Sequence, residues 1–157
     1  MSHIRRKAIA GLAPGDSFTV TRSFTEEDTA AFAAMSGDYN PVHFDDRFAK
    51  ARNFPSRICH GLLVASLLTE IGGQIGWLAS GMNFRFRKPV YCGDSIECRF
   101  VITEVDERNR AKAEVTFTNQ RAEIVIKADL MGIIPGDRER SILEQMVAEG
   151  DPTNGRA

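Results

Sequence analysis

One short segment carries residues whose types and spacing suit the movement of protons to and from water. It reads Ser36-Gly37-Asp38-Tyr39-Asn40-Pro41-Val42-His43. Pro41 holds its own φ at about −65° and favours an extended Asn40, so the loop is stiff enough to aim two side chains at one point. Histidine has an unperturbed pKa near neutrality, and a carboxylate beside an imidazole can hold a water and shuttle its proton. Asp38 and His43 are therefore the candidate catalytic pair.

The same residues allow a purely structural interpretation. Asp38 and Asn40 belong to the residue types that form Asx turns, and His43 can bond to a neighbouring backbone carbonyl. Spacing alone favours this structural interpretation, so the catalytic hypothesis needs support from elsewhere in the chain.

A second segment, His60-Gly61-Leu62-Leu63-Val64-Ala65-Ser66, begins the most apolar stretch of the chain. Gly61 opens a predicted helix, where its N–H has no intrahelical partner and where the missing Cβ lets a ligand approach. Such a donor, at the positive end of the helix dipole, can stabilise the charge that develops on a thioester oxygen. Ser66 shares the face of Leu62, and its alternative role is a bond to the carbonyl four residues earlier.

Arg85, Arg87 and Lys88 form a small basic cluster. On a strand, Arg85 and Arg87 project to the same face, where they can meet the phosphates of a nucleotide-bearing substrate. A solvated outer face is the alternative for all three residues. No glycine-rich phosphate loop follows a strand in this sequence.

The cysteines and histidines give no metal-binding pattern. Cys59, Cys92 and Cys98 match no zinc spacing, so we expect reduced, buried thiols without a function. The three histidines are also far apart in the sequence, with His3 near the terminus. We therefore expect no metal site.

The order of elements follows from residue patterns. Ser17–Ser23 alternates as a strand does, and Thr25 then starts a helix through a capping box. Residues 61–79 are apolar nearly all round, which is typical of a helix at the centre of a fold. Four strands are predicted near residues 82–88, 95–106, 111–119 and 122–134, and a charged tail with a short helix near 139–148 and a frayed end completes the chain.

These elements predict an α+β hot-dog architecture, in which one antiparallel β-sheet wraps around a central buried helix. The boundaries are an N-terminal lead-in at residues 1–16, a single domain at 17–135 and a charged C-terminal tail at 136–157. The uncovered sheet face and edge strands predict a homodimer.

Composition excludes several classes of protein. The 157 residues carry 20 Lys and Arg against 21 Asp and Glu, a net charge of −1, which argues against broad charge-driven binding to nucleic acid or membrane. The longest uncharged run, residues 71–84, has 14 residues and is too short for a membrane-spanning helix. No signal-peptide core is evident, so we expect a cytoplasmic protein.

Taken together, residues 37–43, the His60-Gly61-Leu62 segment and Ser66 resemble the MaoC-like (R)-specific enoyl-CoA hydratases. The resemblance covers roughly residues 18–132 and reverses the preference for a purely structural loop. It implies that Asp38 and His43 hold and activate a water, and that the Gly61 N–H binds the thioester oxygen. It also implies that Ser66 helps to order the site and that the hot-dog domain forms a dimer or a dimer of dimers.

The resemblance implies reversible syn addition of water to a trans-2-enoyl-CoA, giving the (R)-3-hydroxyacyl-CoA. This reaction requires no metal and no redox cofactor, and CoA is part of the substrate rather than a cofactor. Which member of the pair delivers the α-proton stays open, as does the preferred acyl chain. The alternatives are a hot-dog acyl-CoA thioesterase and a non-catalytic acyl-CoA-binding module.

Overall fold

The structure is a computed structural model that describes residues 1–151 and 153. Within this part of the chain, most helices precede a run of four consecutive strands, an α+β order. The helices are α1 (His3–Ala10), α2 (Glu26–Ser36), α3 (Asp46–Ala51), α4 (Gly61–Ala65), α5 (Leu68–Ile75) and α6 (Asp137–Ala148). The strands are β1 (Ser17–Ser23), β2 (Leu78–Phe86), β3 (Ser95–Val105), β4 (Arg110–Thr118) and β5 (Ile124–Ile133), and a 3-10 turn covers Pro41–His43.

The five strands form one antiparallel sheet in the order β1-β3-β4-β5-β2. The last three strands are consecutive neighbours, whereas β1 and β2 occupy the two edges. Buried and exposed residues alternate along β3 and β4, so one face of the sheet is apolar and the other faces outward.

Helix α5 covers the apolar face of the sheet. Its buried residues Ile71 and Ile75 belong to the same core as Phe100, Val115 and Leu130 of the sheet. The segment that the sheet covers is the most apolar part of the chain, and its burial against the sheet contributes to the hydrophobic stabilisation of the fold. The α+β hot-dog prediction is confirmed.

The central helix differs from the predicted single helix over residues 61–79. It is interrupted after Ala65, where the N–H groups of Leu67 and Thr69 bond to carbonyls only three residues earlier. The Thr69 hydroxyl donates to the Ser66 carbonyl at 2.7 Å, which competes with regular helix bonding. The helix then ends at Ile75 because Gly76 adopts a left-handed conformation with φ 75°.

Strand β2 starts at Leu78, four residues before the predicted start at residue 82. Leu78 pairs with Ile133 of β5, so backbone pairing takes over directly after the helix stop. The other predicted strands differ from the observed ones by two residues or fewer at each end.

The N-terminal lead-in contains a helix that contributes to the core. Ile4 and Ala8 of α1 are buried, and α1 packs against α5 and α6. The buried Arg5 lies 4.0 Å from Asp151, which joins α1 to the chain beyond α6.

Helix α6 matches the helix predicted for the tail, whereas the frayed end falls mainly on residues 152 and 154–157, outside the described residues. The domain boundaries at residues 17–135 stay predictions.

In the described part of the chain, no helix combines the length and the apolar character needed to cross a bilayer.

Candidate active site

The loop that carries Asp38 is shaped by its own side chains. Helix α2 ends at Gly37, whose φ of 77° turns the chain out of the helix. The Asp38 N–H donates to the Ser36 hydroxyl at 3.1 Å, and the Asn40 N–H donates to Asp38 Oδ1 at 3.1 Å. The Val42 N–H then donates to Asn40 Oδ1 at 3.2 Å. This chain of short-range bonds leaves Asp38 Oδ2 available to face the cavity.

His43 is oriented by a backbone carbonyl. Its Nδ1 lies 2.8 Å from the carbonyl oxygen of Ile58. A carbonyl can only accept, so Nδ1 carries the proton and, in the neutral ring, Nε2 presents its lone pair. That Nε2 lies 3.9 Å from Asp38 Oδ2, too far for a direct hydrogen bond. A water about 2.8 Å from each atom would fit between them.

Burial lowers the pKa of His43 below its usual value, and the neighbouring His60 lowers it further. The bond to the Ile58 carbonyl and the nearby Asp38 carboxylate act in the opposite direction without reversing the shift. The neutral ring, which can accept a proton, is therefore favoured at neutral pH.

His60 is a site residue that the sequence analysis left without a role. Its side chain is 1% exposed, and its Nε2 donates to the backbone carbonyl of Asp38 at 2.9 Å. Its ring lies against that of His43, with the ring centres 3.9 Å apart. His60 thus holds the backbone of one member of the pair and the ring of the other. The sequence signal for this role is that His60 directly precedes Gly61, the first residue of a helix.

The pair opens into a cavity of about 470 Å³. The cavity wall is mainly apolar and is continuous from the Asp38 loop to the end of β2. Among the residues that line it are Asp38, His43, His60, Gly61, Phe86 and Arg87. The structure thus brings the predicted pair and Gly61 to one cavity.

Gly61 lines the cavity directly beside the Phe86 ring. A Cβ on this residue would lie 2.6 Å from Cε1 of Phe86, so a larger residue at this position would displace the ring. As the first residue of α4, Gly61 has an N–H without an intrahelical partner. Helix α4 has only five residues, so the free N–H, rather than a long helix dipole, is the relevant feature.

Ser66 is separate from this cavity. Its hydroxyl donates to the Leu63 carbonyl at 2.6 Å, and the residue is exposed beside Glu70 and Gln74. The bond to an earlier carbonyl matches the structural alternative, although the acceptor is three residues back rather than four.

The basic cluster is divided between two surfaces. Arg85 forms an ion pair with Asp129 at 2.6 Å, away from the residues that line the cavity. Arg87 and Lys88 line the cavity, and Lys88 is paired with Glu123 at 2.6 Å. Only these two cluster members can meet a ligand in the cavity.

Asp38, His43 and His60 each place a possible ligand atom within 4.8 Å of the others. However, Nε2 of His60 is bonded to the Asp38 carbonyl, and Nδ1 of His43 is bonded to the Ile58 carbonyl. The cavity side therefore presents one carboxylate oxygen and one imidazole nitrogen, which suits a water better than a metal ion that needs three protein ligands.

Fold and site together define a hot-dog protein with an acid–histidine centre beside a helix start. The family described as "MaoC like domain" matches residues 12–124. A mitochondrial 3-hydroxyacyl-[acyl-carrier-protein] dehydratase of Arabidopsis thaliana is 33% identical over 127 residues, which covers 77% of this chain and 76% of the relative. An (R)-specific enoyl-CoA hydratase of Aeromonas caviae is 35% identical over 97 residues, which covers 59% of this chain and 72% of the relative.

A solved structure supports the same assignment. The (R)-hydratase from A. caviae involved in PHA biosynthesis superimposes with a TM-score of 0.75 at 29% identity, covering 80% of this chain and 98% of that one. The chain belongs to the MaoC-like family, as the resemblance predicted. Hydratases and dehydratases are both hydro-lyases, and the chain is an enzyme of this class.

Proposed function

We propose that the chain catalyses the reversible hydration of a trans-2-enoyl-CoA to the (R)-3-hydroxyacyl-CoA. The observation that carries the proposal is the separation of 3.9 Å between Asp38 Oδ2 and His43 Nε2, in a cavity that also contains Gly61. The names of the relatives support the reaction class and its stereochemistry.

In this mechanism, one water binds between Asp38 and His43. The neutral His43 accepts a proton through Nε2 as the water oxygen attacks Cβ of the enoyl group. Attack moves negative charge onto the thioester oxygen, which the Gly61 N–H stabilises as a hydrogen-bond donor. The Asp38–His43 pair then returns a proton to Cα on the same face, which completes syn addition.

The proposed chemistry uses only groups of this chain and the substrate. Proton transfer by the pair and charge stabilisation by the Gly61 N–H account for both bond-forming steps without a metal or a redox cofactor. CoA enters as part of the substrate, and Arg87 and Lys88 at the cavity are the groups that we assign to its phosphates.

We also propose a homodimer, or a dimer of dimers, with the β2 side of the sheet at its interface. Strand β2 is an edge strand, and its exposed residues include Leu78, Met82 and Phe86. An apolar edge of this kind is normally covered by another chain. Distant structural neighbours, including the ChsH1-ChsH2 and HadBC structures from Mycobacterium tuberculosis, are described as complexes.

The proposal is tested by adding purified protein to crotonyl-CoA and to an eight-carbon enoyl-CoA, following the loss of enoyl-thioester absorbance and determining the chirality of the product. We expect an (R)-3-hydroxyacyl-CoA. Asp38→Asn and His43→Ala should each lower kcat by about 10²–10⁴-fold, because each removes one side of the proton transfer.

Asp46→Asn is the matched control. Asp46 is an exposed carboxylate near the same loop that bonds to the Arg57 N–H at 2.9 Å and does not line the cavity. Wild-type turnover by folded Asp38→Asn protein would overturn the mechanism. Release of free thiol from the enoyl-CoA would instead indicate a thioesterase, and thermal stabilisation by the ligand without turnover would indicate a binding module.

A further inference from the structure

Two of the three cysteines are in contact. Sγ of Cys59 lies 3.8 Å from Sγ of Cys92, although the residues are far apart in the sequence. Cys59 is buried beside the active-site cavity, whereas Cys92 is exposed in the turn before β3. The expectation that all three thiols are buried is therefore wrong for Cys92.

We propose that Cys59 and Cys92 are a redox-sensitive dithiol that a hydroperoxide converts to an intramolecular disulfide, and that this bond lowers the activity of the adjacent site. A disulfide bond is about 2.05 Å long, so the sulfurs must approach by roughly 1.8 Å from their present 3.8 Å. Cys92 is exposed in a turn, so its side chain is not held by core packing and can rotate toward Cys59.

The exposed thiol reacts first. The Cys92 sulfur attacks the terminal oxygen of the hydroperoxide and the O–O bond breaks. The Cys92 proton goes to the departing oxygen, so the products are a sulfenic acid and an alcohol, or water when the oxidant is hydrogen peroxide. The Cys59 sulfur then attacks the Cys92 sulfur, so that the S–S bond forms and the S–O bond breaks. The departing hydroxide takes the Cys59 proton and leaves as water. Overall, two thiols lose two hydrogen atoms and the hydroperoxide is reduced.

Burial is the main reason that Cys59 is the second thiol to react. It raises the pKa of Cys59, and the adjacent Cys92 raises it further. A protonated, buried thiol is a poor target for peroxide but can still resolve a sulfenic acid that forms in contact with it.

Cys59 lies between two residues that organise the catalytic pair, Ile58 through its backbone and His60 through its side chain. The preceding residue, Ile58, accepts the bond that orients His43, at 2.8 Å. The following residue, His60, donates to the Asp38 carbonyl at 2.9 Å. A pull on Cys59 toward Cys92 therefore displaces both anchors of the Asp38–His43 pair. This effect on activity rests on the proposed function, whereas formation of the disulfide does not.

The test treats the full-length protein with hydrogen peroxide and maps disulfides by mass spectrometry without prior reduction. The same samples are assayed for crotonyl-CoA hydration and for hydrogen–deuterium exchange across residues 58–65. We expect a Cys59–Cys92 linkage, altered exchange across this segment and a hydration rate reduced at least about tenfold, with recovery on adding dithiothreitol. Cys92→Ser should keep the basal rate and resist inactivation.

Cys98→Ala is the matched control because Cys98 is buried in β3 and leaves the dithiol intact. It should be inactivated as the wild type is. Failure to form the linkage, or linkages that join different molecules only, would overturn the proposal. A complete Cys59–Cys92 disulfide with unchanged exchange would refute the coupling to the site. If the reduced protein has no hydratase activity, the proposed function fails, while mapping and exchange still decide this proposal.

Discussion

The two oxygens of the Asp38 side chain have different tasks. Oδ1 accepts the Asn40 N–H at 3.1 Å and forms the turn, while Oδ2 faces His43 at 3.9 Å. The structural and catalytic interpretations of this loop are therefore compatible, because the Asx turn is what points the second oxygen at the imidazole. Preorganisation of this kind reduces the cost of orienting a water for attack.

The acid limb of the pH–rate profile should report His43. Its pKa lies below 6.5, and only the neutral ring can accept the water proton. We expect kcat/KM to fall as the pH decreases through a midpoint below 6.5, measured with crotonyl-CoA. In Asp38→Asn, the loss of the carboxylate should lower the His43 pKa further, as followed by NMR titration. A wild-type midpoint above 6.5 would contradict the assignment.

Arg87 should act on the CoA part of the substrate alone. It lines the cavity, whereas Arg85 is paired with Asp129 elsewhere. Arg87→Ala should raise KM for crotonyl-CoA about tenfold, which corresponds to about 1.4 kcal/mol for a lost contact to phosphate. The KM for a crotonyl thioester of N-acetylcysteamine, which has no phosphate, should not change. Arg85→Ala is the matched control, and an equal effect on both substrates would exclude a phosphate contact.

At the level of elements, the start of α4 and the end of β2 determine how closely a ligand can approach the Gly61 N–H. Gly61→Ala should fold normally, because alanine is compatible with a helical backbone. The new methyl group, however, would lie 2.6 Å from the Phe86 ring and force it into the cavity. We expect kcat/KM to fall at least about tenfold in steady-state assays.

Two further variants make this prediction specific. Gly73→Ala is the same substitution in α5, with nothing within 4 Å of the new methyl group. It should leave activity unchanged and stabilise the protein by up to about 1 kcal/mol. The double variant Gly61→Ala with Phe86→Ala should recover part of the lost activity. No recovery would show that the ring is not the cause.

The elements with regular local patterns were the predictable ones. Alternation along Ser17–Ser23 and the Thr25 capping box act within a few residues, so the start of α2 and the bounds of β1 were predicted correctly. The end of the central helix was harder, because Leu78 is apolar and fits a helix as well as a strand. Leu78 joins strand β2 because it pairs with Ile133, which lies far along the chain and is not evident from local sequence.

The site shows the same division between local and long-range information. Asp38 and His43 lie on one loop, so their proximity could be inferred from sequence. The contact of His60 with both residues depends on how the chain returns to the loop at the start of α4. Ser66 was grouped with the site through its place in the motif, but the turn after Ala65 gives its hydroxyl a local acceptor at Leu63.

For the whole molecule, the proposed dimer interface implies that substitutions at two exposed methionines have different effects on dimerisation. Met82 on β2 is 44% exposed on the helix side of the sheet, and Met131 on β5 is 53% exposed on the outer side. Met82→Arg should convert the dimer to a monomer in sedimentation velocity, because a charge then faces the apolar interface. Met131→Arg should remain dimeric. A wild-type monomer at micromolar concentration would contradict the proposed assembly.

The position of the central helix in the sequence has a consequence for synthesis of the protein. Helices α4 and α5 leave the ribosome before any of the strands β3, β4 and β5 that cover them. Until Ile133 has emerged, Leu67, Leu68, Ile71 and Ile75 have no complete sheet to pack against. The nascent chain therefore displays its most apolar segment for the time needed to add about 58 residues, which at about 5–20 residues per second is several seconds. During this interval the exposed apolar segment makes the nascent chain prone to aggregate.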